Sequence, residues 1–90
     1  MPDSHMSTYL YAHGYTNYMD IKLREEFRER FAKELNGTGL SITKIGEKVG
    51  IDYTLVSHYI KGRKIPSLET FILICRALDL NANYIVGLED

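Results

Sequence analysis

Ninety residues, 44% of them hydrophobic and 26% charged, with two prolines, one cysteine and no tryptophan, leave room for one small domain, since domains usually run to about 50–200 residues. A two-domain enzyme is excluded, no stretch approaches the roughly 18 uninterrupted apolar residues of a membrane span, and a core this small favours a binding surface over a deep active site. The formal charge of -1 speaks at first against a polyanionic partner, yet residues 44–64 carry five Lys/Arg against two Asp/Glu, whereas residues 1–43 carry five against six and residues 65–90 one against four. Phosphate senses the field within about 10 Å at 0.1 M salt, so the basic middle third can still present a positive face.

At the start of the chain, Ser4-His5-Met6 reads as the scar of an expression vector, which puts the native start at Met6 or Met19 and sets residues 1–6 aside. Residues 7–19 hold Tyr9, Tyr11, Tyr15 and Tyr18 around Gly14 and Asn17. The alternation of Tyr9 and Tyr11 with Leu10 and Ala12 suits a short strand or an arm packing on a neighbour; a leader without fixed structure is the plain alternative. The domain proper is expected over residues 20–90. No charged segment followed by an apolar run marks a secretory leader, so the expected compartment is the cytoplasm. Cys75, alone in the apolar run FILICRAL, suits a core thiol in a reducing compartment.

From Asp20 onward Leu23, Phe27, Phe31 and Leu35 recur every four residues, and Glu26/Arg30, Glu29/Lys33 and Arg30/Glu34 can pair on the outer side. Asp20 is the expected N-cap and Asn36-Gly37 the expected stop. Two short helices follow, Ser41 to Val49 and Asp52 to Lys61, capped by Ser41 and Asp52 and separated only by Gly50-Ile51. Gly50 can take the positive φ that ends the first helix, and Gly46 allows the second to cross it closely. Ile45, Val49, Ile51, Val56 and Tyr59 supply their buried side. After Gly62, Arg63 and Lys64, Pro66-Ser67 opens a fourth helix with Leu68, Phe71, Ile72, Ile74, Cys75 and Leu78 as apolar members. Asn81 caps a short last helix carrying Tyr84, Ile85 and Leu88. The fold class expected is all-α, five helices without a sheet.

A helix, a short glycine turn and a second helix held proud of the domain make a unit whose second helix fits the major groove of B-DNA. Its N-terminal side chains reach base edges. Here those are Tyr53, Thr54, Ser57 and His58, with Leu55 offering an apolar contact to a thymine methyl. Lys61, Arg63 and Lys64 directly follow that helix, where the sugar-phosphate backbone would run. About four neutralised phosphates per half-site would weaken binding with salt at a log-log slope near -0.9 per contact.

The string IGEKVGIDYTLVSHYIKGRKIPSLETFILICRALDL resembles the Cro/C1-type helix-turn-helix family of bacterial and phage regulators over about residues 20–88. Gly50, Ile51, Asp52, Val56-Ser57, Gly62-Arg63 and Pro66-Ser67 match that family's pattern in order. The resemblance implies a compact lambda-repressor-like domain in which Asp52 to Lys61 is the recognition helix. It implies phosphate contacts from Ser41 to Lys44 and Lys61 to Ser67, among them Ser41, Thr43, Lys44, Lys61, Arg63, Lys64 and Ser67. It makes the last helix a frequent dimer contact, with Leu73, Tyr84, Ile85 and Leu88 as candidates.

The partner implied is a near-palindromic duplex operator bound by a homodimer, the outcome repression, with no cofactor. Three departures stand out. Ile42 replaces a common phosphate-binding glutamine, Leu35 and Ile60 replace a common Arg–Glu pair, and Leu73 replaces a polar residue.

Other classes fare less well. His5, His13 and His58 are scattered, Ser57 and His58 point in different directions on a helix, and neither a zinc spacing nor a phosphate-binding glycine loop is present, so no enzyme is expected. The serious rival is a protein-interaction module on the same fold, using Tyr53, Leu55, Tyr59 and the N-terminal tyrosines. Between the two lies an antitoxin-type regulator that binds both a partner and its own promoter.

Overall fold

The computed structural model describes residues 18–90, so the readings made on residues 1–17, the vector scar and most of the tyrosine-rich arm, lie outside it. Five helices and no strand occur among the described residues: α1 (Tyr18–Gly37), α2 (Ile42–Val49), α3 (Tyr53–Ile60), α4 (Leu68–Leu78) and α5 (Ala82–Ile85). The long α1 lies against α3 and α5, while α2 lies against α3 and α4.

Capping chemistry decides where most of these helices begin. Ser41, Asp52, Ser67 and Asn81 each accept a backbone N–H of the following first turn through the side chain, satisfying donors that the helix itself leaves unpaired. Asp20 does not play this part. Because α1 already begins at Tyr18, Asp20 sits inside its first turn, where a carboxylate still suits the positive end of the helix dipole. The helix does stop at Gly37, but the left-handed residue that turns the chain away is Gly39, at φ 71°.

Every helix sends at least one side chain into the core, which consists of Phe31, Leu35, Ile45, Val56, Tyr59, Phe71, Ile74 and Ile85. Phe31 is fully buried and stands at its centre, with ring centroids 5.5 Å from Phe27, 5.4 Å from Tyr59 and 5.6 Å from Phe71. Tilted and edge-on rings at such distances add about 0.5–1.5 kcal/mol per pair to the area they bury. Burial also pushes the Tyr59 hydroxyl above its ordinary pKa, so the ring enters the core as a neutral phenol. Leu35 is buried and Ile60 half-buried against the same core, so apolar packing stands at both places where a charged pair was absent.

Several expected core members are not in it. Leu23 continues the stripe of Phe27, Phe31 and Leu35 but is exposed, at 56%, as are all its neighbours from Ile21 to Glu26. Leu68 and Ile72 are exposed as well, Leu68 as the first residue of α4 and Ile72 on the side of that helix turned away from Phe71 and Ile74. Cys75 is half-buried instead of fully buried; desolvation and the nearby Glu34 charge raise its pKa and keep it a thiol.

Candidate nucleic-acid interface

The α2–α3 unit is built around two glycines. Gly50 adopts φ 84°, and the N–H groups of Gly50 and Ile51 both donate to the Gly46 carbonyl, at 2.7 and 3.1 Å. This closes α2 and reverses the chain within one residue. A Cβ on Gly46 would stand 2.9 Å from the Ile51 carbonyl oxygen and 3.6 Å from the Tyr53 backbone. The missing side chain is therefore what lets α3 start so close to α2. Asp52 then caps α3, its Oδ1 accepting the Thr54 N–H at 2.7 Å.

Burial of Val56 and Tyr59 fixes the rotation of α3. At 100° per residue the opposite face carries Thr54, His58 and Lys61, and all three are exposed. Tyr53, 62% exposed, stands beside this stripe and forms one wall of a shallow groove with Thr43, Glu47 and Asp52. Ser57 is half-buried, and Leu55 is partly spent on packing against the core, which leaves less of it for a thymine methyl.

A second glycine turn aims the basic segment. Gly62 takes φ 67°, its N–H donates to the Tyr59 carbonyl at 3.0 Å, and the Arg63 N–H donates to the His58 carbonyl at 2.9 Å. This crossed pair of bonds is the Schellman closure of a helix. It seats Lys61, Arg63 and Lys64, all exposed, around the C-terminal end of α3. No intrachain ion pair engages these three among the described residues.

The other expected phosphate contacts are less free. Ser41 Oγ is occupied by the Lys44 N–H at 3.0 Å, and Ser67 Oγ accepts from the Thr70 N–H at 3.2 Å while donating to Thr70 Oγ1 at 3.0 Å. Lys44 pairs with Glu47 at 3.7 Å, an exposed contact worth about 0–1 kcal/mol that a phosphate could displace. Thr43 is exposed on the first turn of α2.

One group of neighbours was not legible in the sequence. Arg28, Glu25 and Glu29 of α1 share a shallow cleft with Ile60, Lys61 and Gly62, so the basic turn has one cation and two carboxylates at its shoulder. Nothing local signals this, since more than thirty residues separate Arg28 from Gly62.

The proposed dimer residues divide. Leu73 and Leu88 are exposed, at 54% and 78%. Tyr84 is half-buried and engaged within the chain: Arg30 donates to its carbonyl at 2.9 Å and sits 5.0 Å from its ring centroid, with Lys33 at 5.7 Å. Ile85 is corrected outright. At 1% exposure it belongs to the core and has no surface to offer a second chain.

A family model described as helix-turn-helix matches residues 31–85, which takes in the last third of α1 and all of α2 to α5. The match covers more than half of the chain, and the chain therefore belongs to the helix-turn-helix family, the Cro/C1-type group whose members are DNA-binding transcription regulators. No curated protein and no solved structure matches it.

Proposed function

We propose that this helix-turn-helix protein reads duplex DNA by laying α3 in the major groove, with Thr54 and His58 at base edges and Lys61, Arg63 and Lys64 on the flanking phosphates. Tyr53, Ser57 and the exposed part of Leu55 border that contact, and Thr43 and Lys44 reach the backbone from the other side. Two copies related by a twofold axis would place two such helices on half-sites about 34 Å apart, which fits a near-palindromic operator. Occupying a promoter in this way represses it.

The observation that carries this reading is the outward stripe Thr54–His58–Lys61, exposed on a helix whose other side is locked by Val56 and Tyr59. Polar side chains held on a rigid, protruding element suit base recognition, and the Gly62 closure continues the stripe directly into cations.

Selecting bound fragments from random duplex DNA, followed by salt titration of the winner, tests the reading. Wild-type protein is expected to enrich one sequence. Arg63→Glu with Lys64→Glu is expected to abolish retention, and even neutral replacements at the two positions should lower the salt slope by about 1.8. Enrichment of no sequence, or duplex binding indifferent to both charges, would overturn it. The first outcome is the behaviour of a protein-interaction module on this fold, whereas an antitoxin-type regulator, which binds both a partner and its own promoter, would still enrich a sequence.

A further inference from the structure

The outer side of α4 has no part in reading DNA, yet its pattern is not that of a solvated helix. Phe71 and Ile74 are buried and Cys75 and Leu78 half-buried, which places Glu69, Ile72, Leu73 and Arg76 on the opposite face. All four are exposed, Ile72 at 39% and Leu73 at 54%. Adjacent large apolar residues on the outside of a helix keep about a hundred square ångströms or more of hydrocarbon in water, a cost that contact would remove.

The charges around this pair are arranged symmetrically. Glu69 lies three residues before Ile72, and Arg76 lies three residues after Leu73. Neither forms an ion pair within the chain among the described residues. Two helical turns, about 10.5 Å, separate them, and their midpoint falls between Ile72 and Leu73. A twofold axis through that midpoint maps the face onto itself in the antiparallel sense. Ile72 of each chain then stands opposite Leu73 of the other, and Glu69 of each chain opposite Arg76 of the other.

We propose that this face of α4 is the contact between two copies of the chain, an antiparallel α4–α4 pairing centred on Ile72 and Leu73. The proposal rests on the DNA-binding reading only in that it supplies the second recognition helix that reading requires. The apolar pair provides the attraction, while the two peripheral ion pairs select orientation, because parallel helices would set Glu69 against Glu69 and Arg76 against Arg76. So short a face makes a weak, concentration-dependent dimer, reinforced when both copies occupy one DNA site.

Sedimentation of the full chain without DNA tests it. The wild type is expected to move from monomer toward dimer mass as concentration rises, whereas Leu73→Glu, Glu69→Arg and Arg76→Glu each remain monomeric. An equimolar mixture of the two charge variants should dimerise again, since each Arg-bearing face then meets a Glu-bearing one. This rescue also shows that both variants are folded. A wild type monomeric up to its solubility limit, charge variants that dimerise normally, or a mixture that stays monomeric would each overturn the pairing. The DNA reading is scored separately: on a duplex with a single half-site the monomeric variants should bind as the wild type does, and on two half-sites at least about tenfold more weakly. Unchanged binding to both duplexes sinks the α4 pairing alone, and no binding by dimeric wild type sinks the DNA reading alone.

Discussion

Helices α3 and α4 solve the same packing problem and turn opposite surfaces outward. Each is capped by a side chain at its first turn and each buries two residues, Val56 and Tyr59 in one, Phe71 and Ile74 in the other. Away from the core, α3 and its C-cap Lys61 show a hydroxyl, an imidazole and an ammonium, whereas α4 shows two aliphatic side chains between a carboxylate and a guanidinium. Burial fixes which way a helix faces, but only the residues left outside decide its partner. Polar groups on a rigid helix suit the hydrogen-bonding edges of bases; hydrocarbon framed by opposite charges suits another protein surface.

The two faces depend on one shared support. Phe31 touches Tyr59 of α3 and Phe71 of α4 at 5.4 and 5.6 Å. Phe31→Ala is expected to cost about 3–5 kcal/mol, measured by urea unfolding, which is much of the roughly 5–15 kcal/mol available to a small domain. Both DNA binding and self-association should fail together. Loss of one with the other intact would mean that the two helices are supported independently.

Substitutions on one outer face should leave the other untouched. Thr54→Ala or His58→Ala should relax preference at one base position by about 1–3 kcal/mol, read from competition among single-base operator variants, with sedimentation unchanged. A uniform loss over all sequences would demote the residue to backbone positioning. Gly62→Ala acts through geometry: φ 67° costs an L-residue about 1–2 kcal/mol. Thermal unfolding should register that loss, and the turn bearing Arg63 and Lys64 should shift, weakening DNA binding on every sequence alike while the α4 face keeps its behaviour.

Local chemistry was legible in the sequence. Ser41, Asp52, Ser67 and Asn81 cap their helices and Gly50 turns the chain, because a cap or a positive φ depends on residues within one turn. The direction of each apolar stripe was legible for the same reason. Whether something lies over that stripe was not. Leu23 shares its period with Phe31 yet stays exposed, and Ile85, four residues from the exposed Asn81 and three from the exposed Leu88, is buried. Such outcomes depend on where another helix ends, as do the Arg30–Tyr84 contact across 54 positions and the placement of Arg28 beside Gly62.

The smallest effect is also the one that separates structure from recognition at a single residue. Asp52 holds the first turn of α3 through its bond to the Thr54 N–H, but its negative charge stands next to the surface offered to phosphate. Asp52→Ala removes both cap and charge, and stability should fall by about 1 kcal/mol. Asp52→Asn keeps an equally good cap, so unfolding should move by only about a few tenths of a kcal/mol. Without the local repulsion, DNA affinity at low salt should rise, and the gain should shrink as salt is added. An Asn variant that binds DNA no better than the wild type at low salt would place the phosphate path away from the start of α3, and with it the orientation in which that helix enters the groove.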